Sequence, residues 1–572
     1  MDKETTSWRK ISVAEVAILA IVFTLILYLG PAAASGHMIR HDHPVGYGAS
    51  DSFQHQSRSE AIKGMGQYRT EAPYIVAGLR NVVGFYPPIT YHATVLFSHL
   101  SGLETYDSLF FIIGLALAAS ALVAYHLTKS LGKAAAVLAL PLTLLVATGK
   151  PFLGMVTFGQ MPFALSSLFL VATAWAITKL ELPKSYFLVA IFFAGTIMTH
   201  TSETLFLTIM FAIALLPAVI SRLVNRKLSG IKPLLQENRK LIIAFMIAAL
   251  IAIYFWPIFL KIWLRLQPYR FSVESTSASF PAATVYPTDF GFMLIAIIIG
   301  LAAAAMFLIQ KRDELGKLLQ SPELFTVAFS AYMLLAGFGT YFGFGLRSFQ
   351  TRLFWPITLA PLAGFGIYQL LRMILKLANK GISAFAVAVA VAAVLSVAVV
   401  ALKYSEPSPG IMDSDHWEPM QWIAENTPKD AQVFMLYSYV YGQTSATYNT
   451  ERVNYFLELP DFAKLINGYS QNKVFDRMVR VTVPSDSGAE FPYRKGLLSF
   501  GQLNNETMTG RTVDICSADY YVADRAFAQE QLVQATTLLV QKFAAANMTV
   551  VYQNPAVVVL KNNNFGGDCL AQ

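Results

Sequence analysis

The chain has 572 residues, of which 55% are hydrophobic and only 14% are charged. This composition excludes an ordinary soluble globular protein. The net charge of +8 does not indicate nucleic-acid binding, because the basic residues fall in short breaks between apolar runs and not in one basic patch. The sequence therefore predicts an α-helical polytopic membrane protein.

Eleven apolar runs have about the length that a helix needs to cross a bilayer. They lie near residues 12–33, 105–128, 134–148, 161–179, 185–200, 203–221, 241–262, 289–309, 324–341, 353–372 and 381–402. Small residues typical of a signal-peptide cleavage site follow the first run, but its apolar core is long, so we interpret it as a retained anchor. We expect about eleven transmembrane helices.

Basic residues are concentrated in alternate breaks between these runs. The N-terminal segment and five later breaks share one side if the runs alternate, and the positive-inside rule makes that side cytoplasmic. We therefore expect a multi-pass protein of the plasma membrane with its N-terminus inside the cell. The predicted domains are a transmembrane domain, 1–402, that includes a long first outer loop, 34–104, and an extracytoplasmic soluble domain, 403–572.

The first outer loop carries the stretch "YGASDSFQHQSR" and is much longer than a simple connection requires. Asp51 and His55 are four residues apart, so they share a face of a predicted helix, and Arg58 follows. Asp51 is the predicted catalytic carboxylate, acting as a general base. Asp42 is its rival, and the structural alternative is that Asp51 only begins a surface helix.

Other ionisable residues also fall at predicted outer ends, where they indicate a functional path. His200 and Glu203 occupy a tight turn between two runs, and the alternative role of Glu203 is to stabilise a helix N-terminus. Lys150 follows the third run, and Arg347 and Arg352 precede the tenth. Because arginine is suited to a bidentate grip on phosphate, the set fits a substrate with a lipid tail and a phosphate head.

The segment after residue 403 has the composition of a soluble α/β domain. It predicts a helix, a turn and a strand near residues 416–438, a strand near 519–525, a helix over 526–546 and a hairpin near 548–562. Cys516 and Cys569 are the two cysteines of the chain. We predict that they form a disulfide in an oxidising exterior, the alternative being two buried thiols.

Four stretches of the sequence resemble the GT-C type membrane glycosyltransferases. "SDSFQHQSR" is similar to the Asp-Pro-Tyr-x-x-x-Arg region of oligosaccharyltransferase catalytic subunits, and "YPPITYH" to a segment before their second span. "TRLFWPITLAPLAGFGI" resembles their late span, and "MQWIAENTPKDAQVFMLYSYVYG" the start of their exoplasmic domain. The resemblance implies a GT-C-like fold, a sugar donor on a polyprenyl or dolichyl phosphate, and an essential acid in the first outer loop, which also selects Asp51.

Two features depart from the family pattern. Oligosaccharyltransferases have Trp-Trp-Asp-Tyr-Gly where this chain has "SYVYG" at 438–442, so transfer to asparagine is not expected. The acidic pair expected for a metal site is not evident near Lys150. The metal site is therefore unknown, and a divalent cation (Mg²⁺ or Mn²⁺) bound through Asp51 and Glu203 remains open.

The expected function is transfer of a sugar from a lipid-phosphate carrier to a glycan, lipid or protein on the outer face of the plasma membrane. The expected partners are the lipid-linked donor and the membrane. Dolichyl carriers and the sequons of the outer domain favour an archaeal source. A transporter or flippase of a polar lipid would predict charges near mid-span and inverted repeats, and an envelope-assembly protein would not explain the acids of the outer loop.

Overall fold

The computed structural model describes most of the chain in two compact units. Unit 1 comprises residues 1–39, 87–90 and 109–409, and unit 2 comprises residues 40–86, 91–108 and 410–572. Unit 2 therefore joins the predicted outer loop to the predicted soluble domain. The described residues are 11–48, 50–66, 72–76, 79–84, 87–224, 236–255, 285–342, 348–377, 383–405, 407, 410–435, 449–457, 478–484, 508–524, 541 and 548–564.

A helix lies in each of the eleven predicted apolar runs. These helices are Val13–Leu27, Thr105–Thr128, Lys133–Thr143, Met161–Ile177, Ser185–Ile197, Thr201–Val224, Arg239–Ile251, Met293–Gln310, Pro322–Ala336, Ala360–Leu377 and Ala384–Lys403. Three short helices accompany them, Gly149–Phe152, Ser348–Leu353 and Trp355–Thr358. The predicted runs were thus helical, as the sequence indicated.

Within the described part of the chain, four helical stretches are long and apolar enough to cross a membrane. They are Val13–Ala32, Thr105–Leu131, Met293–Gln310 and Ala384–Lys403. A fifth arises if Lys133–Ala147 and Gly149–Thr157, which meet at a bend of 59°, form one span. Five further apolar helices have only 10–17 residues. The chain is a helical membrane protein, and the count of eleven spans stays a prediction.

Glycines allow the central helices of unit 1 to pack with their backbones in contact. A methyl group at Gly300 would collide with the Leu362 carbonyl, and one at Gly366 with the backbone of Gly300. A methyl group at Gly364 would collide with the Ala135 carbonyl. Small residues at helix crossings give this close approach in membranes. Helices Lys133–Thr143, Met293–Gln310 and Ala360–Leu377 are therefore held at fixed relative positions.

Unit 2 begins with the loop that carries Asp51. It contains the helix Ser50–Met65, the antiparallel strands β1 (Ala72–Val76) and β2 (Leu79–Gly84), and the helix Ile89–Ser101, which enters from unit 1. The backbone of Tyr47 pairs with that of Gly410, and the Tyr106 ring meets the Trp417 ring at 5.7 Å. Gly410 has a φ of +103°, and a methyl group there would collide with Tyr47. The loop and the C-terminal segment therefore fold as one unit.

The C-terminal part of unit 2 is a helix and a mixed sheet. The helix Ser414–Asn426 precedes β3 (Gln432–Met435), as the sequence predicted. The strands that follow are β4 (Val453–Leu457), β5 (Met478–Pro484), β6 (Met508–Asp514), β7 (Tyr520–Asp524), β8 (Met548–Gln553) and β9 (Val557–Asn562). Among the described residues the sheet has seven strands in the order β6-β5-β4-β3-β7-β9-β8, with β3 parallel to β4 and β7 and the other pairs antiparallel. The predicted hairpin is formed by β8 and β9.

Candidate functional site

Three helices of unit 1 bring polar residues to the same end. Lys150 follows the bend after helix Lys133–Ala147, where Gly149 has a φ of +57°. Asp289 lies in the 3₁₀ turn Pro287–Phe290, just before helix Met293–Gln310, and Arg352 lies in the short helix before Ala360–Leu377. Because these helices pack at fixed positions, Lys150 meets Asp289 and Arg352 approaches the neighbouring Tyr286 ring, although these residues are far apart in the sequence.

Lys150, Asp289 and Tyr286 form the exposed part of this group. The Lys150 Nζ lies 3.1 Å from Asp289 Oδ1, and it donates to Oδ2 at 3.2 Å. Asp289 Oδ2 also accepts the backbone N–H of Tyr286 at 2.7 Å, which closes the turn. The Lys150 ammonium is 5.4 Å from the centroid of the Tyr286 ring, within the range of a cation–π contact.

Arg352 approaches the same aromatic ring from a buried position. Its guanidinium carbon lies 5.4 Å from the centroid of the Tyr286 ring, while the residue is only 2% exposed. Within the described ranges, no carboxylate lies at ion-pair distance from Arg352. A buried cation without a carboxylate is costly. We call Lys150, Tyr286, Asp289 and Arg352 the Tyr286 cluster.

Further polar atoms on the helix Ser348–Leu353 have no hydrogen-bond partner among the described residues. Gln350 Oε1, Thr351 Oγ1 and Arg352 Nε are buried and lack a hydrogen bond to any described residue. The Gln350 amide nitrogen does donate to the Gln160 side chain. Buried polar atoms are nearly always hydrogen-bonded, and exceptions need an explanation. The helix therefore offers both donors and acceptors beside a cation, as a polar ligand would require.

His200 and Glu203 meet at the turn before helix Thr201–Val224. The His200 Nδ1 lies 2.7 Å from Glu203 Oε2, and both side chains are buried. Glu203 Oε1 has no hydrogen-bond partner in the described part of the chain. The Phe163 ring lies 6.1 Å from the His200 ring and 6.3 Å from the Phe354 ring. The pair is therefore linked through Phe163 to the chain just after Arg352.

The predicted carboxylates of the outer loop lie in unit 2. Asp51 is in the first turn of helix Ser50–Met65, as the sequence predicted, and its side chain lies outside the described residues. The Asp42 side chain is 74% exposed and lies 2.6 Å from the His43 Nδ1. The hydrogen bond from His43 lowers the pKa of Asp42. Asp42 is therefore engaged with its own neighbour at the surface.

His55 and Arg58 are buried and both contact Tyr91. The His55 Nδ1 lies 2.8 Å from the Tyr91 hydroxyl, and Arg58 Nη1 donates to that hydroxyl at 2.9 Å. The Arg58 guanidinium also stands 5.6 Å from the Tyr91 ring centroid. These contacts orient the helix that carries Asp51. Tyr91 belongs to the "YPPITYH" segment, so two of the four stretches that carried the resemblance touch each other.

Several predicted residues and one motif lie outside the described residues. These are Arg347, Cys569 and the "SYVYG" stretch at 438–442. Cys516 is completely buried and is not a free thiol. The predicted bond between Cys516 and Cys569 stays a prediction. In the ranges that the structure describes, no three His, Cys, Asp or Glu side chains are grouped as metal ligands, and a divalent cation also stays a proposal.

The sequence reasoning identified Lys150 and Arg352 but missed Tyr286 and Asp289. Both are in the stretch "VYPTDFG" at 285–291, directly before an apolar run. A carboxylate beside Tyr-Pro and Gly at the predicted outer end of a span is a local signal for such a residue. Its pairing with Lys150 joins residues 139 positions apart, which no local pattern indicates.

Comparison with solved structures supports the resemblance that the sequence suggested. The archaeal oligosaccharyltransferase AglB from Archaeoglobus fulgidus, in complex with an inhibitory peptide and a dolichol-phosphate, aligns with a TM-score of 0.53 and 13% identity over 96% of this chain and 74% of that chain. The Archaeoglobus fulgidus oligosaccharyltransferase tethered to an acceptor peptide aligns with a TM-score of 0.52 and 11% identity, over 97% and 89%. The fold is GT-C-like.

Sequence comparison adds no closer relative. No protein-family model matches the chain, and no curated protein matches it by sequence. The ArnT structure from Cupriavidus metallidurans aligns with a TM-score of only 0.45 and 12% identity, over 98% of each chain. At these identities the GT-C-like resemblance describes the fold alone.

Proposed function

We propose that this protein transfers a sugar from a lipid-phosphate carrier to an acceptor on the outer face of the plasma membrane. The observation that carries the proposal is the Tyr286 cluster, in which a lysine and a buried arginine share one aromatic ring. A single described carboxylate, Asp289, is paired with Lys150 and none with Arg352. This excess of positive charge fits an anionic phosphate.

The proposed reaction assigns one role to each group. Arg352 and Lys150 bind the carrier phosphate. Asp51, or Asp42 in its place, takes the proton from the acceptor hydroxyl while the acceptor oxygen attacks the anomeric carbon of the sugar. The bond between that carbon and the phosphate oxygen breaks, and the phosphate leaves with the electron pair, stabilised by the two cations.

Two further groups have supporting roles in the proposal. Glu203, with His200 as its partner, is the third candidate carboxylate, because one of its oxygens has no hydrogen bond within the described ranges. His55 and Arg58 hold the loop helix through Tyr91. The dolichol-phosphate bound to the archaeal oligosaccharyltransferase supports a polyprenyl-type carrier here.

One observation favours a second function, the movement of a polar lipid across the membrane. The bend of 59° between Lys133–Ala147 and Gly149–Thr157 resembles the broken helices from which transporters build their sites. Such a protein would bind the same phosphate but would leave the sugar bond intact. Sugar release from the carrier therefore distinguishes the two functions.

The decisive experiment assays the purified protein in vesicles. The vesicles contain membrane lipids from a strain that lacks this protein, because the unused sugar-linked carrier should accumulate there. We expect loss of the sugar from the carrier, and a decrease in turnover of Asp51→Asn by a factor on the order of 10²–10⁴. Carrier binding should remain, because asparagine also favours a helix start. Asp42→Asn, the variant of the rival carboxylate, is measured beside it.

Normal turnover of Asp51→Asn with a defect in Asp42→Asn would transfer the role to Asp42. Normal turnover of both would direct attention to Glu203. An intact sugar–carrier bond with the carrier moved between leaflets would establish the transporter alternative instead. The proposed sidedness is tested separately by a reporter that is active only in the cytoplasm, fused after Gln572, which should be silent.

A further inference from the structure

The end of the last apolar helix adds a cation to the Tyr286 cluster. Lys403 is the final residue of helix Ala384–Lys403. Its ammonium rests on Gly291, where an added methyl group would lie 3.2 Å from Nζ and 2.8 Å from Cε. Its backbone carbonyl faces Gly149, at 3.9 Å from the position of a methyl group there. Lys403 is therefore wedged between the residue before Lys150 and the turn that contains Asp289.

The ammonium of Lys403 has no acceptor in the part of the chain that the structure describes. None of the hydrogen bonds or ion pairs of the described residues includes its Nζ, although Asp289 is only two residues from Gly291. Asp289 is directed to Lys150 and to the Tyr286 N–H instead. Lys150 is thus neutralised by the carboxylate of the turn, whereas Lys403 has no acceptor among the described residues.

We propose that the turn from Tyr286 to Gly291 is the phosphate subsite, in which Lys403 is a phosphate ligand and Asp289 is an internal anion that the phosphate displaces from Lys150. This inference rests on the proposed function and specifies how its carrier is recognised. In the free protein, Asp289 satisfies Lys150. When the carrier binds, its phosphate takes the place of the carboxylate and also reaches Lys403.

The charge of the cluster indicates the class of head group. Lys150, Arg352 and Lys403 carry three positive charges and Asp289 one negative charge, so two positive charges are in excess among the described residues of the site. A phosphate monoester carries about −1.5 to −2 charges at pH 7. The subsite therefore matches the dianionic monoester of the discharged carrier, which we expect to bind as an inhibitory product.

The test titrates radiolabelled undecaprenyl phosphate against the full-length chain in mixed micelles. Lys403→Gln should bind this probe about tenfold more weakly, because one charge-assisted hydrogen bond is lost. Asp289→Asn should bind it more tightly, by a factor on the order of 3–10, because the competing negative charge is removed. Lys311→Gln is the matched control, since Lys311 lies at the far end of helix Met293–Gln310 and is paired with Glu314.

Competition experiments identify the ligand, and a double variant tests the mechanism. The uncharged polyprenol should not compete, inorganic phosphate should compete only weakly, and phosphatidylglycerol should not compete. The gain of Asp289→Asn should disappear in Lys150→Gln, because a displaced counter-ion acts through the lysine that it occupies. Thermal unfolding of each variant is followed in parallel, so that a folding defect is recognised.

The outcomes separate this inference from the proposed function. Tight binding by the unmodified chain, with Lys403→Gln and Asp289→Asn both unchanged, would overturn the inference and leave the proposed function standing. Weaker binding by Asp289→Asn would also overturn it, since Asp289 would then orient Lys150 and not compete for it. No binding of either carrier phosphate or sugar-linked carrier by the unmodified chain would overturn both.

Discussion

Unit 1 contains a second cluster of lysines around a carboxylate, and it differs from the Tyr286 cluster in one respect. Glu15 is completely buried and lies 2.5 Å from the Lys129 Nζ and 3.2 Å from the Lys133 Nζ. It also accepts the Tyr125 hydroxyl at 2.6 Å and the Ser12 N–H at 2.9 Å. Each of its oxygens is bonded, whereas the buried Arg352 guanidinium of the Tyr286 cluster has no carboxylate among the described residues.

The difference distinguishes an ion cluster that stabilises the fold from one that binds a ligand. The Glu15 cluster joins the first apolar helix to the end of Thr105–Thr128, and both of its lysines contact the one carboxylate. In the Tyr286 cluster, by contrast, Arg352 has no carboxylate at ion-pair distance among the described residues, and its Nε has no hydrogen bond there. The first kind of site should therefore lose stability when a group is removed, and the second should lose binding.

The largest effect is expected for Glu15→Ala. Removal of the carboxylate takes the Glu15 ion pair away from Lys129, a cation that is only 3% exposed, and breaking a buried ion pair costs roughly 3–5 kcal/mol. Unfolding in mixed detergent micelles measures the loss. Glu323→Ala is the control, because Glu323 is an exposed acid in the first turn of another helix. A stability equal to that of the unmodified chain would contradict the assignment of a structural role.

The second prediction concerns Arg352→Ala, which should lose carrier binding and keep its stability. Binding of the carrier phosphate should weaken by roughly 1.5–3 kcal/mol, as when a charged hydrogen bond is lost. Stability should stay the same or increase, because a buried cation without a carboxylate is removed. Arg352→Lys should restore binding only in part, since the planar fork is gone.

Carrier titration and unfolding are measured on the same preparations, with Arg312→Ala as the control. If Arg352→Ala unfolds as readily as Glu15→Ala and binds the carrier normally, Arg352 is structural and the comparison fails.

Much of unit 1 could be predicted from the sequence, because apolar runs and basic breaks are local signals. The eleven runs are helical, and Lys150 and Arg352 were selected by their places beside those runs. The hairpin of β8 and β9 was likewise predicted by its two short apolar stretches around Asn554-Pro555. Local chemistry therefore predicted the elements and the cations.

The partners of those cations could not be predicted from local chemistry. Glu15 meets Lys133 across 118 positions, and Asp289 meets Lys150 across 139. Both contacts depend on which helices pack together. For Asp289 and Lys150, that packing includes the backbone contacts at Gly300 and Gly364. A sequence shows that an acid is available, but the packing decides which lysine it neutralises.

A third prediction uses Thr351, whose buried hydroxyl has no partner among the described residues. Thr351→Val removes this hydroxyl with little change of shape, so stability should rise by about 1 kcal/mol. Thr326→Val is the control, because the Thr326 hydroxyl donates to the Pro322 carbonyl at 2.8 Å; that variant should lose stability. If Thr351→Val loses as much stability as Thr326→Val, the Thr351 hydroxyl has a structural partner and is not a ligand-binding group.

The smallest effect is expected for Lys133→Gln. The Lys133 side chain is 30% exposed, and Glu15 keeps Lys129 and Tyr125 when it is lost. A partly exposed pair contributes at most about 1 kcal/mol. The free energy of unfolding should therefore change by less than this, and carrier binding should stay the same.

Lys150→Gln also removes one partly exposed lysine beside a carboxylate, and there we expect carrier binding to weaken while stability is kept. The two lysines have similar exposure, at 30% and 36%. A difference in carrier binding between the two variants therefore reflects the cluster in which each lysine lies. Equal losses of carrier binding in both variants would mean that general positive charge attracts the carrier and that the Tyr286 cluster has no special part in holding it.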